Sequence, residues 1–377
     1  MGYNGEKASV NQYSDLYSYF EKNVASELKE LYDENILREK KINKNELRFT
    51  YVPKKLETIP PLVSYDGGMT TLFQGQLTET CMLKIAGACP PDQKGIFTDI
   101  EVKEIFFHSF VGKLIHSDTD QEDELRNTLR EELKRLLEIE EFVTMLQVFG
   151  IKVGDFEEKF FGLVNRWKDK STIKDTMREL LEWALVIDFL NSQKSKPTEE
   201  GKLPFLIIKD GNISSNPKAV TISISHKIQE LLQGGNKEIP VPYIIGAVKN
   251  SRFTGESPLG KMISKFGKIL PSHSFFKIPA AYEALLDKDF NSQPFSRYFL
   301  NIFGGDSVYE IQIPRVLSNN EVLLPQILDL IASQVTFSYG GSIITNSYAH
   351  KRASIAEVEG KMLEVQILKD MNNKGKK

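Results

Sequence analysis

The sequence predicts an α/β protein, a mixed sheet flanked by helices and interrupted by a helical insertion. Three observations lead there. Extended apolar runs at 62–65, 70–77 and 80–88 follow one another with tight connections, the pattern of a β-meander. Long segments at 118–147 and 171–191 carry apolar residues at helical spacing. Beyond residue 200, short buried-type strands alternate with helices, as expected for a sheet with helices packed on it.

The elements follow in order. Leu16, Phe20, Val24, Leu28 and Leu31 recur at spacings of three and four, so residues 1–54 read as an N-terminal helical segment closed by Pro53. Strand 62–65 ends at Asp66-Gly67-Gly68, and the two further runs of the meander end at Pro90-Pro91. In the next segment Leu125, Leu129, Leu133, Leu136 and Leu137 form one stripe behind an acidic start, an amphipathic helix within an insertion spanning about 90–170. The helix at 171–191 is apolar nearly all round from Trp183 to Leu190. A polar linker, 191–202, leads to the strand Leu203-Pro204-Phe205-Leu206-Ile207-Ile208, which ends at Lys209-Asp210-Gly211. A helix at 222–233, a strand at 241–248, strands near 297–303 and 306–313, and helices near 320–334 and 348–370 complete a main domain over 55–370. Residues 371–377 form a tail.

Composition narrows the class. Of 377 residues, 41% are hydrophobic and 26% charged, values of a globular protein. No run approaches the ~20 apolar residues of a membrane span, and the first residues lack the basic flank and apolar core of a secretory signal. Cys81 and Cys89 give no disulfide framework, so the expected location is the cytoplasm. A net charge of −3 argues against simple coating of nucleic acid.

Candidate chemistry starts from two segments of one design, an apolar strand delivering Asp-Gly: Asp66-Gly67 and Asp210-Gly211. Asp-Gly is a common turn dipeptide, so neither alone marks a site. Two carboxylates brought together at strand ends repel, and a bound cation offsets that cost. A third acid would complete an oxygen-rich cage for Mg²⁺ or Mn²⁺. The helix before the second strand offers Glu179, Glu182 and Asp188. Glu182 sits at the edge of the buried half, Asp188 lies deeper, in the last turn, where the helix dipole disfavours a carboxylate, and Glu179 fits a surface face. His350, in Tyr348-Ala349-His350 and read as near the start of the last helix, is the fourth element. The remaining histidines form no pair with zinc-ligand spacing. Lys249 and Arg252, just after a buried strand, are placed to meet phosphate.

The order of these elements is similar to that of the NurA nuclease family: strand-Asp66-Gly67-Gly68, a helix with Met177-Arg178-Glu179-Leu180-Leu181-Glu182, strand-Asp210-Gly211, Gly246-Ala247-Val248-Lys249, and Tyr348-Ala349-His350. The resemblance covers roughly 55–370. It implies an RNase H-like core and a metal-dependent deoxyribonuclease holding Mn²⁺ or Mg²⁺, as a two-metal site, at Asp66, Glu182, Asp210 and His350. It further implies DNA as substrate, a HerA-type hexameric ATPase as partner, a homodimer, and work in DNA repair (end processing) or antiviral defence. The family's late motif carries a Tyr ahead of the His, and Tyr339 stands in that stretch here. Where the family often has Asp-Gly-Ser, this chain has Asp66-Gly67-Gly68. Two competing classes stay open: an actin-like nucleotide-binding ATPase, which also uses Asp-Gly turns after strands, and a non-catalytic adaptor of a motor ATPase.

Overall fold

A computed structural model describes residues 49–74, 78–90, 99–110, 127, 130–131, 133–156, 170–195, 199–213, 222–234, 239–248, 263–264, 267, 270–277, 293–302, 308–335, 343–354 and 357–374. Nine strands form one sheet: β1 (Phe49–Tyr51), β2 (Leu62–Gln74), β3 (Thr78–Ala88), β4 (Asp99–Phe110), β5 (Leu206–Asp210), β6 (Ile244–Val248), β7 (Ser274–Lys277), β8 (Phe295–Asn301) and β9 (Val308–Pro314). Helices among the described residues include α1 (Glu140–Val148), α2 (Lys170–Gln193), α3 (Ile222–Leu232), α4 (Arg315–Ser318), α5 (Leu323–Ser333), α6 (Ile344–Ala353) and α7 (Glu357–Lys374).

The strand order is β1-β7-β8-β9-β6-β5-β2-β3-β4. Strands β2, β3 and β4 are an antiparallel meander, and β5 then β6 add in parallel on the free side of β2. Those five strands are the RNase H-like arrangement; β9, β8, β7 and β1 continue the sheet antiparallel beyond it. The predicted α/β class and mixed sheet therefore stand.

Several boundaries move. The first strand does not stop at Asp66. β2 runs through Asp66-Gly67-Gly68 to Gln74, because β3 pairs with it along that whole length. The meander's third strand is β4, inside the segment read as helical insertion. The linker expected at 191–202 begins later, since α2 continues to Gln193. The final helix divides at 354 into α6 and α7, and α7 reaches Lys374, into the expected tail. At the other end, residues 49–51 of the expected helical segment are strand β1, paired with β7, and residues 1–48 lie outside the described residues. Lys249, Arg252 and Tyr339 also lie outside them.

Strand parity sorts the core into two layers, because successive side chains point to opposite faces. Val63 and Tyr65 of β2, Ile207 of β5 and Ile244 of β6 share one face with Trp183, Val186, Ile187 and Leu190 of α2. Leu62, Leu206, Ile208, Ile245, Ala247 and Ile311 share the other with Ile327, Leu328 and Ile331 of α5. This explains why β5 reads as a continuous apolar run: it is buried on both faces.

Candidate metal centre

The parity that divides the core also places the acids. Asp66 continues the register Leu62↔Leu206 and Ser64↔Ile208, so it lies beside Asp210 on the α5 face. On that face α6 brings in Asn346 and His350, four residues apart and so on one side of the helix. A carboxylate oxygen from Asp66, one from Asp210 and a ring nitrogen of His350 all lie within 4.8 Å of one another. The structure thus brings together three of the residues singled out from sequence, from two strands and a helix far apart in the chain.

Each is held. Asp66, 2% exposed, accepts a hydrogen bond on Oδ1 from the Gly67 backbone N–H at 2.7 Å. Its Oδ2 lies 2.6 Å from Nδ1 of His350. Asp210 Oδ1 accepts from the Asn346 side-chain amide at 2.7 Å. Asp210 is the last residue of β5, and the chain leaves it through Gly211 with φ +78, a left-handed conformation that favours glycine. Gly68 serves a different purpose. A Cβ there would sit 2.1 Å from the Ala353 carbonyl oxygen, so the missing side chain lets the last turn of α6 lie directly on β2. His350 therefore comes from the last turn of α6, not from near the start of a long final helix. Its side chain is 58% exposed, the open side of the cluster.

The electrostatics are those of a site short of positive charge. Burial raises the Asp66 carboxyl, and the negative charges of Asp210 and Glu182 raise it further; His350 opposes them, and the net result is a pKa pushed up to about 6. Two carboxylates and an imidazole at this spacing suit a divalent cation, whose charge would remove that strain.

Glu182 lies just outside. It comes from α2, on the opposite face of the sheet, and reaches Gly67, where a Cβ would be 2.4 Å from its Oε1. It is 1% exposed and ion-paired twice, with Arg178 Nη1 at 2.7 Å and Lys209 Nζ at 2.7 Å. Lys209 precedes Asp210 and so faces the α2 side, where it is buried. Glu179 is half-buried and acts electrostatically on both cations. Asp188, also half-buried and near the end of α2, is not part of the Asp66–Asp210–His350 group.

Two polar residues at the site carried no signal strong enough to single out. Asn346 lies one helical turn before His350, a spacing that could have flagged it. Tyr309 of β9 is placed by the pairing Ala247↔Ile311 and two-residue alternation, on the same face as Asp210. Burial raises its phenol pKa and the charges of Asp210 and Asp66 add to the rise, while the Asn346 side chain beside it works the other way. The Tyr309 hydroxyl and the Asn346 Oδ1 are both buried, and neither makes a well-formed hydrogen bond to the described residues. Only the tertiary register of β9 could have revealed Tyr309.

Among solved structures, the chain resembles the NurA nuclease from Sulfolobus solfataricus at 12% identity and a TM-score of 0.44, covering 99% of this chain and 98% of that one. It also resembles a NurA bound to dAMP and manganese at 11% identity and a TM-score of 0.35, covering 93% and 94%. A NurA with manganese aligns at 11% identity and a TM-score of 0.34, over 89% and 95%. No family model and no curated protein matches the sequence. No helix among the described residues is long and apolar enough to cross a membrane.

Proposed function

We propose that this protein is a metal-dependent DNA nuclease that hydrolyses phosphodiester bonds. The observation that carries the reading is the convergence of donor atoms from Asp66, Asp210 and His350 within 4.8 Å of one another, where burial and the neighbouring carboxylates already push the Asp66 carboxyl up. Asp66, Asp210 and His350 would hold Mn²⁺ or Mg²⁺, with Glu182 close by. Bound there, such an ion makes an attacking water more acidic and stabilises the leaving oxygen.

The chain's own groups set the remaining conditions. Gly67 N–H and Asn346 each fix one oxygen of an aspartate, and His350 Nδ1 stands 2.6 Å from the second oxygen of Asp66. His350, mostly exposed, stands where it can exchange a proton with substrate or solvent. Lys249 and Arg252 follow β6, whose end lies beside Asp210, and their charge would attract the phosphate backbone without reading base sequence. The name of the neighbour bound to dAMP and manganese is consistent with such a substrate.

The same proposal has the enzyme acting as a cytoplasmic homodimer with a HerA-type hexameric ATPase, in DNA end processing or antiviral defence. The test incubates linear and circular DNA with protein and Mn²⁺, with EDTA as control. Cleavage abolished by EDTA and by Asp210→Ala supports the reading. ATP turnover without any DNA cleavage would replace it with the nucleotide-binding ATPase.

A further inference from the structure

We infer that this chain holds a single divalent ion, between Asp66, Asp210 and His350, and that Glu182 is the fixed counter-ion of Lys209 and Arg178 rather than a metal ligand. The inference rests on the metal site of the nuclease reading and departs from the two-ion, four-ligand set that the sequence suggests. Both oxygens of Glu182 are engaged: Oε1 takes the Arg178 guanidinium at 2.7 Å, and Oε2 takes the Lys209 ammonium at 2.7 Å.

Position reinforces this. Lys209 and Asp210 are adjacent in β5 and point to opposite faces, so Glu182 meets a cation on the α2 side while the aspartates meet on the α5 side. Between them stands Gly67, with Glu182 Oε1 against the position its Cβ would fill. Turning Glu182 toward the aspartates would break its pair with Lys209 and leave that ammonium, 5% exposed, without its ion-pair partner.

Lys209 and Arg178 together neutralise Glu182, one at each oxygen, so its carboxylate has no need of an ion. Lys209 and Arg178 thus stand where a second ion would otherwise have to balance Glu182.

The experiment titrates metal-free protein with Mn²⁺ and follows the free ion by its EPR signal, in the wild type, Glu182→Gln, Glu182→Gln/Lys209→Met and Asp66→Asn. The double variant removes both buried charges, so it keeps the question open to measurement if the single variant fails to fold. The wild type should bind one ion per chain. The double variant should bind the same number with affinity within about threefold, and Asp66→Asn should lose more than about tenfold. Two ions in the wild type, one of them lost when Glu182 is replaced, would overturn the inference and leave the nuclease reading intact. An absence of Mn²⁺ binding to the wild type would remove the metal site and with it both readings.

Discussion

The two faces of the sheet at Gly67 make an instructive pair. On the α2 side the carboxylate of Glu182 is as deeply buried as that of Asp66, yet Arg178 and Lys209 balance it. On the α5 side Asp66 and Asp210 lie together beside a mostly exposed His350, and burial, with the charges of Asp210 and Glu182 added, pushes the Asp66 carboxyl up to about 6. A buried carboxylate is a structural ion pair on one face and one member of a cluster of acids and an imidazole on the other. Burial alone therefore does not mark a candidate metal ligand; convergence of several donor groups does.

The comparison can be broken from either side. The largest effect is expected on the α5 face. Asp66→Ala or Asp210→Ala should reduce Mn²⁺-dependent DNA cleavage by about a thousandfold or more, as for loss of a principal electrostatic element, with near-native circular dichroism. On the compensated face the damage should fall on folding. Lys209→Met leaves Glu182 with Arg178 alone and should cost about 3 kcal/mol in urea denaturation, the scale of a broken buried pair. Unchanged stability would mean that the two faces do not differ as described.

Gly68→Ala tests how the acidic face is assembled. The new Cβ would meet the Ala353 carbonyl oxygen, a backbone atom, so α6 must shift and carry His350 and Asn346 with it. A loss of about 2 kcal/mol, within the range for overpacking, should accompany weaker Mn²⁺ binding.

The pH dependence sharpens the contrast. The Asp66 carboxyl is raised from 3.8 to about 6 in the folded protein, so the folded state holds its proton more tightly than the unfolded chain. Metal-free protein should lose stability as pH climbs from about 4 to about 6, by at most ~3 kcal/mol from this group. Asp66→Asn should flatten that slope in parallel denaturation curves, and Mn²⁺ should offset the loss above the window. The smallest effect belongs to Tyr309→Phe. Its hydroxyl interacts with the Asn346 side chain without a well-formed hydrogen bond, so stability should change by no more than about 1 kcal/mol. A larger loss would show that the contact with Asn346 carries weight.

Periodicity and turn residues made the long α2, the doubly buried β5 and α5 readable. Of the meander expected at 62–65, 70–77 and 80–88, the first two runs are the single strand β2, and the third strand of the observed meander is β4. Boundaries failed where pairing overrode local signals. Asp66-Gly67-Gly68 has the composition of a turn, but β3 pairs along it and α6 packs against it, so it is extended strand. β4 pairs with the preceding strand from Ala88↔Asp99 to Thr78↔Phe110, a hairpin that the helical reading of 90–170 passed over. At the site, Asp66, Asp210 and His350 were legible because each stands in a short motif on its own element. Glu182 was legible as an acid at the edge of the buried half of its helix, but its two cationic partners were not.

The amino-acid order by itself set the candidate acids on apolar strands and an apolar half-helix. By that order Asp188 is the deeper acid of α2, whereas in the fold Glu182 is the buried one and Asp188 is half-buried. Only the tertiary structure decided which of those acids would face each other and which would meet a lysine. Side chains alternate between faces along a strand, and the pairing of β2 with β5 fixes whether two positions share a face. That single choice of register puts Asp66 beside Asp210, turns Lys209 toward Glu182, and separates a compensated charge from one that invites a cation.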